Sequence, residues 1–329
     1  MTLNSPEPSH NNNTNNADAP NPQNTISSIA EFLKQHTVYD LLPISYKVIL
    51  LDHTMLVKQA LGALLHNGVN CAPLWNSSLQ KYAGLLTTNH FITLIQHFYG
   101  SDSYEKVVEE LEQFQLHRFR EVEQAQGIGA DPGISINPSQ TVFEACQAIV
   151  KATNHTLPVL DIDPDTQQQL VVSVISQYKI LKFLSINYKN RTNLNLTLQQ
   201  TKIGCYNNLA TAKLSTKVID IIHIFMEKKI AAIPIVDDNG VVLNVFENND
   251  ILNLIRDGHF NNLELCVSDA LQSRSESFEG VHRCQSSDTL SSILQTIRKE
   301  TVNRLMVVDS DDRLEGIVTL SDILNFLIQ

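Results

Sequence analysis

The stretch "IAAIPIVDDNGVVLNVFENNDILNLI" (residues 230–255) decides the fold, because the chain repeats its pattern as "RLMVVDSDDRLEGIVTLSDILNFLI" (residues 304–328). In both stretches a short run of branched apolar residues leads into a polar turn, "DDNG" or "DSDDR". A second branched run follows, and apolar residues then recur at helical spacing. This order predicts a strand, a turn, a second strand and a helix in each stretch.

Two further copies of the pattern lie earlier in the chain. One is "CAPLWNSSLQKYAGLLTTNHFITLI" from Cys71, and the other is "LPVLDIDPDTQQQLVVSVISQYKILKFL" from Leu157. Upstream of each copy, apolar residues share one helical face, as Val218, Ile221 and Phe225 do before the third copy. The sequence therefore predicts an α/β fold of four tandem helix-strand-strand-helix units, with limits at residues 37–98, 134–187, 205–257 and 276–329.

A unit of about 60 ordered residues buries too little apolar surface to be stable alone. We therefore expect the four units to pack as two pseudo-symmetric pairs, and the pairs to pack against each other. Packing of this kind leaves clefts where strand ends meet helix N-termini, and such clefts are the usual place for a small ligand. The repeat alone thus predicts ligand binding between copies.

Two segments lie outside the repeated units. Residues 1–24 are rich in Asn and Pro and nearly lack large apolar side chains, which predicts a disordered tail. Residues 103–126 are predicted to form a helical linker, with apolar points at Val107, Leu111, Phe114 and Val122 among many charged residues. This linker either packs on its own domain or docks a partner.

Composition limits the classes of partner. The net charge of -11 argues against nucleic acid as the main partner, because phosphate-backbone binding needs a basic surface. The five cysteines are scattered and never spaced as C-x-x-C, so we expect neither a disulfide framework nor a zinc site, and a reducing compartment fits best. We also expect no secretion signal, because residues 1–24 have neither a basic start nor an apolar core, and no membrane segment, because no run approaches about 18 apolar residues.

Four repeats in this order, with the strings they carry, resemble a known family. Each unit resembles the cystathionine beta-synthase (CBS) domain, and the chain from about Thr37 onward resembles the fungal branch of the gamma subunits of AMP-activated protein kinase. The most specific strings are "YDLLPISYKVILLD", "APLWNSS", "GLLTT", "VISQYKILKFL", "GCYNNLATA" and "GIVTLSDIL".

The resemblance implies a regulatory, non-catalytic protein of the cytoplasm and nucleus. It would bind AMP, ADP or ATP in clefts between CBS copies, with no further cofactor and no metal. It would assemble with a catalytic alpha subunit and a scaffolding beta subunit. The strand "YKVILLD" could pair with an edge strand of the beta subunit, or it could be an internal strand of the first copy.

Acidic residues at the start of the last helix are the first candidate site residues. Asp250 lies 16 residues after Pro234, and Asp322 lies 16 residues after Met306, so the two occupy the same register. From the local sequence alone, each aspartate would be interpreted as a helix cap. The resemblance implies instead that each carboxylate can accept hydrogen bonds from the 2′ and 3′ hydroxyls of a ribose.

The other two copies differ at this position, which we call the clamp position. His90 stands there in the first copy and Lys179 in the second. A neutral imidazole cannot replace a two-oxygen acceptor, and an ammonium is better suited to phosphate. Two ribose clamps are therefore predicted, and the four clefts are chemically unequal.

Residues just before the first strand of each copy are candidates for phosphate binding. The fourth copy offers Asn303 and Arg304, the second offers His155 and Thr156, and the first offers Asn70. Related gamma subunits often carry a basic residue or histidine at three of these positions, which are Thr156, Asn303 and Asn70 in this chain. The losses predict tight binding at one principal site, where copies two, three and four meet.

At that site, Asp322 is predicted to hold the ribose, with hydroxyl contacts from Thr319 and Ser321. Arg304, His155 and Lys179 are predicted to face phosphate. Ala231 and Ala232 would let the backbone approach the purine beside Cys205, where related chains often have threonine. The predicted nucleotide-binding set is Asp322, Ser321, Thr319, Arg304, Asn303, Lys179, Tyr178, Gln177, Ser176, His155, Gly204, Cys205, Ala231, Ala232 and Asp250.

Two other classes of function are alternatives to a nucleotide-binding regulatory subunit. The chain could be a scaffold of the same complex with vestigial nucleotide binding, which the changes at Asn70, His90, Thr156 and Asn303 permit. An enzyme is the weakest class, because the sequence has no P-loop, no nucleophile elbow, no His/Cys cluster at metal spacing and no paired carboxylates.

Overall fold

The computed structural model describes residues 21–45, 47–99, 113–125, 133–256, 263–274 and 278–329. It confirms the predicted fold class, because each copy has a helix, two antiparallel strands and a second helix. The first copy comprises α2 (Val57–His66), β2 (Cys71–Asn76), β3 (Lys81–Thr87) and α3 (Thr88–Tyr99). The second comprises α5 (Val142–Lys151), β4 (Thr156–Ile162), β5 (Gln169–Ser176) and α6 (Gln177–Asn187).

The third and fourth copies have the same order of elements. The third comprises α8 (Val218–Lys228), β6 (Ala232–Val236), β7 (Val242–Glu247) and α9 (Asn248–Arg256). The fourth comprises α11 (Leu290–Lys299), β9 (Arg304–Val308), β10 (Leu314–Thr319) and α12 (Leu320–Leu327). The domain limits proposed from the sequence stay predictions.

The remaining elements connect or flank the copies. They are α1 (Pro22–Lys34), α4 (Phe119–Ala125), α7 (Leu198–Thr201), α10 (Val267–Ala270), β1 (Leu51–Asp52) and β8 (Arg283–Cys284). Strands β1 and β8 pair in parallel with β2 and β9, which gives the first and fourth copies three-stranded sheets. Of the two interpretations of "YKVILLD", its last residues Leu51 and Asp52 therefore belong to an internal strand of the first copy.

The copies form two pairs through their strands. In the first pair, strand β5 of copy two packs against β3 of copy one, and the backbone N–H of Tyr82 donates to Oε1 of Gln169 at 2.9 Å. In the second pair, Val241 and Arg313 form an antiparallel bridge, and Val242 and Met306 share a small buried cluster. The two pairs are thus built alike.

Helices join one pair to the other. The N-terminal part of α3 packs against α9, so copies one and three meet, while α6 packs against α12, so copies two and four meet. Leu252 of α9 is buried in the core of copy one, and Ile92 and Ile95 of α3 are buried in the core of copy three. Each copy therefore contacts two others, and helix N-termini converge at the centre.

The segments outside the copies show one difference from the prediction. Helix α1 begins at Pro22 with Asn21 as its N-cap, so residues 22–24 belong to a helix and not to a disordered tail. The physical reason is that Ile26, Ile29 and Leu33 bury one face of this helix against copies two and four. Residues 1–20 lie outside the described residues.

The described part of the predicted linker, residues 113–125, contains a 3-10 helix at Leu116–Arg118 and helix α4 at Phe119–Ala125. Phe114 and Val122 are buried in the core of copy one, as expected for a linker that packs on its own domain. Val107 and Leu111 lie outside the described residues. Among the helices of the described ranges, none is long and apolar enough to cross a membrane.

Candidate functional site

A cavity of about 2320 Å³ lies where the four copies meet. Residues at or near the N-termini of α3, α6, α9 and α12 form part of its wall, together with residues from the strands that precede these helices. The repeat explains this arrangement, because every copy brings the end of its second strand and the start of its last helix to the same place. Backbone N–H groups at helix N-termini favour anionic or hydroxyl-bearing ligands.

The cavity collects the predicted set, with two exceptions. The predicted residues that line it are Asp322, Ser321, Thr319, Arg304, Asn303, Lys179, Tyr178, Gln177, Ser176, His155, Cys205, Ala231 and Ala232. Gly204 and Asp250 are not part of its wall. Asn70, His90 and Thr156, where this chain departs from the family, also line it.

Asp322 lies at the N-terminus of α12, half-buried at the cavity wall. Its Oδ2 accepts hydrogen bonds from the backbone N–H of Thr319 at 2.8 Å and from Oγ1 of Thr319 at 2.7 Å. Oγ1 of Thr319 in turn accepts from the N–H of Asp322 at 3.2 Å. This capping box fixes the carboxylate and leaves Oδ1, which has no hydrogen-bond partner among the described residues, as an acceptor.

Asp250 is the copy-three counterpart, and its carboxylate is paired with an arginine in this structure, while its role at a ribose stays a prediction. Its Oδ1 accepts from Nε of Arg274 at 2.6 Å, and its Oδ2 is 2.5 Å from Nη2. The Arg274 guanidinium also lies 4.1 Å from the ring centroid of Phe278. Asp250 is 4% exposed, so a buried bidentate ion pair occupies both oxygens that a ribose would need.

Gly204 has a backbone role and is not part of the cavity wall, and its place beside the purine stays a prediction. Its φ is +109°, and a Cβ there would lie 2.8 Å from Cγ2 of Val318 and 2.9 Å from the carbonyl oxygen of Ile317. The residue must be glycine because the chain passes close to β10 at this point. The neighbouring Cys205 then pairs with Ile317 in an antiparallel bridge, which places Cys205 at the cavity.

Arg304 is the main cationic residue predicted to face phosphate. Its Nη1 lies 3.3 Å from Oε1 of Glu247, and the two side chains are 18% and 19% exposed. Its Nε is buried without a hydrogen-bond partner among the described residues. Arg304 also borders a smaller cavity of about 220 Å³ that Phe278 and His282 help to line. An anion in the large cavity would compete with Glu247 for this guanidinium.

His155 lines the cavity in a left-handed backbone conformation, with φ of +49°. Burial lowers the pKa of its imidazole below the ordinary value, and a hydrogen bond to the backbone of Ile149 acts in the opposite direction. The ring is therefore mainly neutral at pH 7. Lys179, the other predicted cation, donates from Nζ to the carbonyl of Val174 at 2.6 Å.

The first copy uses its altered clamp residue as a cap. Nδ1 of His90 accepts from the backbone N–H of Thr87 at 3.1 Å, in the manner of Asp322 with Thr319. Nε2 of His90 lies 3.4 Å from Oε1 of Glu123, which belongs to the linker helix α4. The cleft of copy one therefore presents a His–Glu pair where a ribose-binding carboxylate would stand.

Three other predicted residues have local roles at the wall. Oγ of Ser176 accepts from the backbone N–H of Lys179 at 3.4 Å and so caps α6. The hydroxyl of Tyr178 accepts from Nζ of Lys182 at 3.2 Å. Gln177 contacts the hydroxyl of Ser321 through both the nitrogen and the oxygen of its amide.

The thiol of Cys71 also lines the cavity. Desolvation raises the pKa of this thiol to about 11, so it stays neutral.

Sequence reasoning missed several residues of the cavity wall. Glu247 was overlooked because nothing local links it to Arg304, 57 positions later in the chain. Lys228 and Lys229, at the end of α8, add positive charge to the wall. Their sequence signal is ambiguous, since lysine is common at helix C-termini. Asn248, at the start of α9, was missed because Asp250, two residues later, was taken as the candidate of that helix.

Four helix-strand-strand-helix units around one central cavity define a protein of tandem CBS domains. The CBS domain family model matches residues 205–257 and 279–329. A crystal structure of a Methanocaldococcus jannaschii protein, whose description relates it to g-AMPK, matches with a TM-score of 0.65 and 16% identity. It covers 88% of this chain and 99% of that one. At this identity the likeness supports the fold alone.

Curated relatives narrow the class further. The chain is 40% identical over 306 residues to the Saccharomyces cerevisiae 5′-AMP-activated protein kinase subunit gamma. The aligned residues are 93% of this chain and 94% of that relative. It is 42% identical over 305 residues to the Kluyveromyces lactis subunit of the same name, and the aligned residues are 92% of each chain. The chain therefore belongs to the family of gamma subunits of AMP-activated protein kinase.

Proposed function

We propose that this protein is the adenine-nucleotide-binding regulatory subunit of a heterotrimeric energy-sensing protein kinase. It binds AMP, ADP or ATP in the central cavity, needs no other cofactor, and catalyses no reaction itself. The observation that carries the proposal is Asp322, a half-buried carboxylate held by its capping box at the cavity wall with Oδ1 open. A charge-assisted acceptor so held suits vicinal ribose hydroxyls.

The principal site lies beside copy four. Asp322 holds the sugar with hydroxyl contacts from Thr319 and Ser321, while Arg304 and His155 meet the phosphate with help from Lys179 and Asn303. Ala231 and Ala232 bring their small side chains to the wall, and Cys205 stands beside them. Asp250 takes no part while Arg274 holds it, so copy three offers no second ribose clamp in this conformation.

Regulation requires differential binding. A nucleotide shifts the kinase only by the difference in its affinity for two states of the complex, so the AMP or ADP complex must favour an arrangement that the ATP complex does not. The partners in this proposal are the catalytic alpha subunit and the scaffolding beta subunit, in the cytoplasm and nucleus.

A pure scaffold is the second candidate, favoured by His90 and by the ion pair at Asp250, which remove two ribose clamps. Calorimetric titration with AMP separates the two functions. The wild-type chain should bind, and Asp322→Asn should weaken binding by about 10- to 100-fold, as for loss of a hydrogen bond to a charged group. Asp220→Asn, an exposed first-turn aspartate outside the cavity, is the matched control. If titration with millimolar AMP gives no binding heat, the scaffold function is favoured.

A further inference from the structure

Two polar bridges cross the centre of the molecule, and they are built alike. Between copies two and four, Nε2 of Gln177 lies 3.0 Å from Oγ of Ser321, and the same Oγ lies 3.1 Å from Oε1 of Gln177. Between copies one and three, Nδ2 of Asn248 donates to Oδ1 of Asn89 at 2.7 Å. All four residues line the cavity.

The repeat explains why both bridges occur. In each, the donor lies two residues before the clamp position of its copy, and the acceptor lies one residue before the clamp position of the other copy. The donors are Gln177, before Lys179, and Asn248, before Asp250; the acceptors are Ser321, before Asp322, and Asn89, before His90. Only the bridge between copies two and four adjoins the open carboxylate of Asp322.

Hydrogen-bond capacity limits what Ser321 can offer a ligand. A serine hydroxyl has one proton and two acceptor lone pairs. In the bridge its proton goes to Oε1 of Gln177, and one lone pair accepts from Nε2. One acceptor position remains, so Ser321 can receive a hydrogen bond from a ligand O–H or N–H but has no proton left to donate.

Breaking the hydrogen bonds between Gln177 and Ser321 also costs free energy. Gln177 is 6% exposed, so a ligand that took the proton of Ser321 would leave a buried amide oxygen without its partner. A buried polar group left unsatisfied is costly. Phosphate oxygens only accept hydrogen bonds, so they would have to break the bridge, whereas sugar hydroxyls can donate to Ser321 while it stays intact.

We propose that Gln177 is a specificity-determining positioning residue that acts through Ser321. It keeps the hydroxyl of Ser321 as an acceptor beside Asp322, so this part of the wall selects the hydroxyl groups of the ribose and excludes phosphate. The inference rests on the proposed nucleotide-binding function. It adds that recognition of the sugar in copy four depends on a residue of copy two.

The test compares the affinity for AMP with the affinities for 2′-deoxy-AMP and 3′-deoxy-AMP by calorimetry. The wild-type chain should prefer AMP to at least one deoxy analogue. Gln177→Met, which keeps the length and loses both hydrogen bonds, should lower that preference about three- to tenfold, the usual range for one hydrogen bond. Ser321→Ala should lower it by a similar factor, and the double variant should lower it no further.

Ser185→Ala removes another hydrogen bond between copies two and four, from Oγ of Ser185 to the carbonyl of Leu294 at 2.9 Å, and should leave the sugar preference unchanged because Ser185 is not part of the cavity wall. An unchanged preference in Gln177→Met, full additivity in the double variant, or an equal loss in Ser185→Ala would overturn the role of Gln177. In all three outcomes AMP still binds, so the proposed function stands. Failure of the wild-type chain to bind AMP overturns both. If Gln177→Met fails to fold, Ser321→Ala alone must lower the preference.

Discussion

At the scale of single residues, the cavity is governed by how each charged group is already partnered. Asp250 and Asp322 occupy one register in the sequence, yet Arg274 holds Asp250 on both oxygens, while no residue in the described part of the chain hydrogen-bonds to Oδ1 of Asp322. Arg304 is paired with Glu247 at 3.3 Å. Identical positions in a repeat therefore differ in availability because of residues outside the repeat pattern.

Glu247→Gln should tighten AMP binding about three- to tenfold. The glutamate both competes for Arg304 and repels a phosphate, and its amide isostere removes the charge at the same size. Calorimetric titration measures the change, with Glu315→Gln on the exposed face of β10 as the control. Weaker binding in Glu247→Gln would mean that the glutamate holds Arg304 in its binding position.

Binding of AMP should draw a proton to His155. Burial holds the pKa of the free imidazole below its ordinary value, and a phosphate dianion beside it raises that pKa by favouring the charged ring. Between the two pKa values, AMP affinity should therefore gain from lower pH. Titrations near pH 6.5 in buffers of different ionisation enthalpy should show less proton uptake in His155→Gln than in wild type. Equal uptake would place the phosphate away from His155.

At the scale of elements, the sequence predicted what is local and missed what is not. Strand, turn, strand and helix follow from side-chain periodicity within each copy, so all four copies were predictable. The ion pair of Asp250 with Arg274 depends on the path of the chain between residues 250 and 274. Helix α1 was misjudged near its start because its stability comes from burial on copies two and four rather than from its own composition.

Gly204→Ala should lower the free energy of unfolding by about 2–4 kcal/mol. The new Cβ would meet Val318 and the carbonyl of Ile317 at less than 3 Å in a backbone conformation that L residues avoid. Gly240 also has a positive φ, +82°, but a Cβ there would meet open space. Gly240→Ala should therefore lower the free energy of unfolding by only about 1 kcal/mol. Urea denaturation measures both. Equal losses would show that the approach to β10 relaxes easily.

At the scale of the whole molecule, strands join copies one with two and three with four, while helices join one with three and two with four. This closed arrangement places the cavity where every copy contributes to its wall. Helix α1 strengthens it by packing on copies two and four, which share the largest buried cluster. The principal site therefore depends on contacts far from the ligand.

Ile29→Ala in α1 should destabilise the fold by about 2–4 kcal/mol, because the side chain is fully buried between copies two and four. Ser27→Ala on the exposed face of the same helix should change stability by less than about 0.5 kcal/mol. Urea unfolding compares the two variants. A negligible effect of Ile29→Ala would mean that α1 does not pack on the copies in solution.

A crystal structure of the chain with AMP tests the central claim most directly. The account predicts the sugar beside copy four, with Oδ1 of Asp322 within hydrogen-bond distance of a ribose hydroxyl and Oδ2 still bonded to Thr319. The phosphate should lie toward Arg304 and His155. A map in which Asp322 only caps its own helix while the sugar lies elsewhere in the cavity would contradict the account.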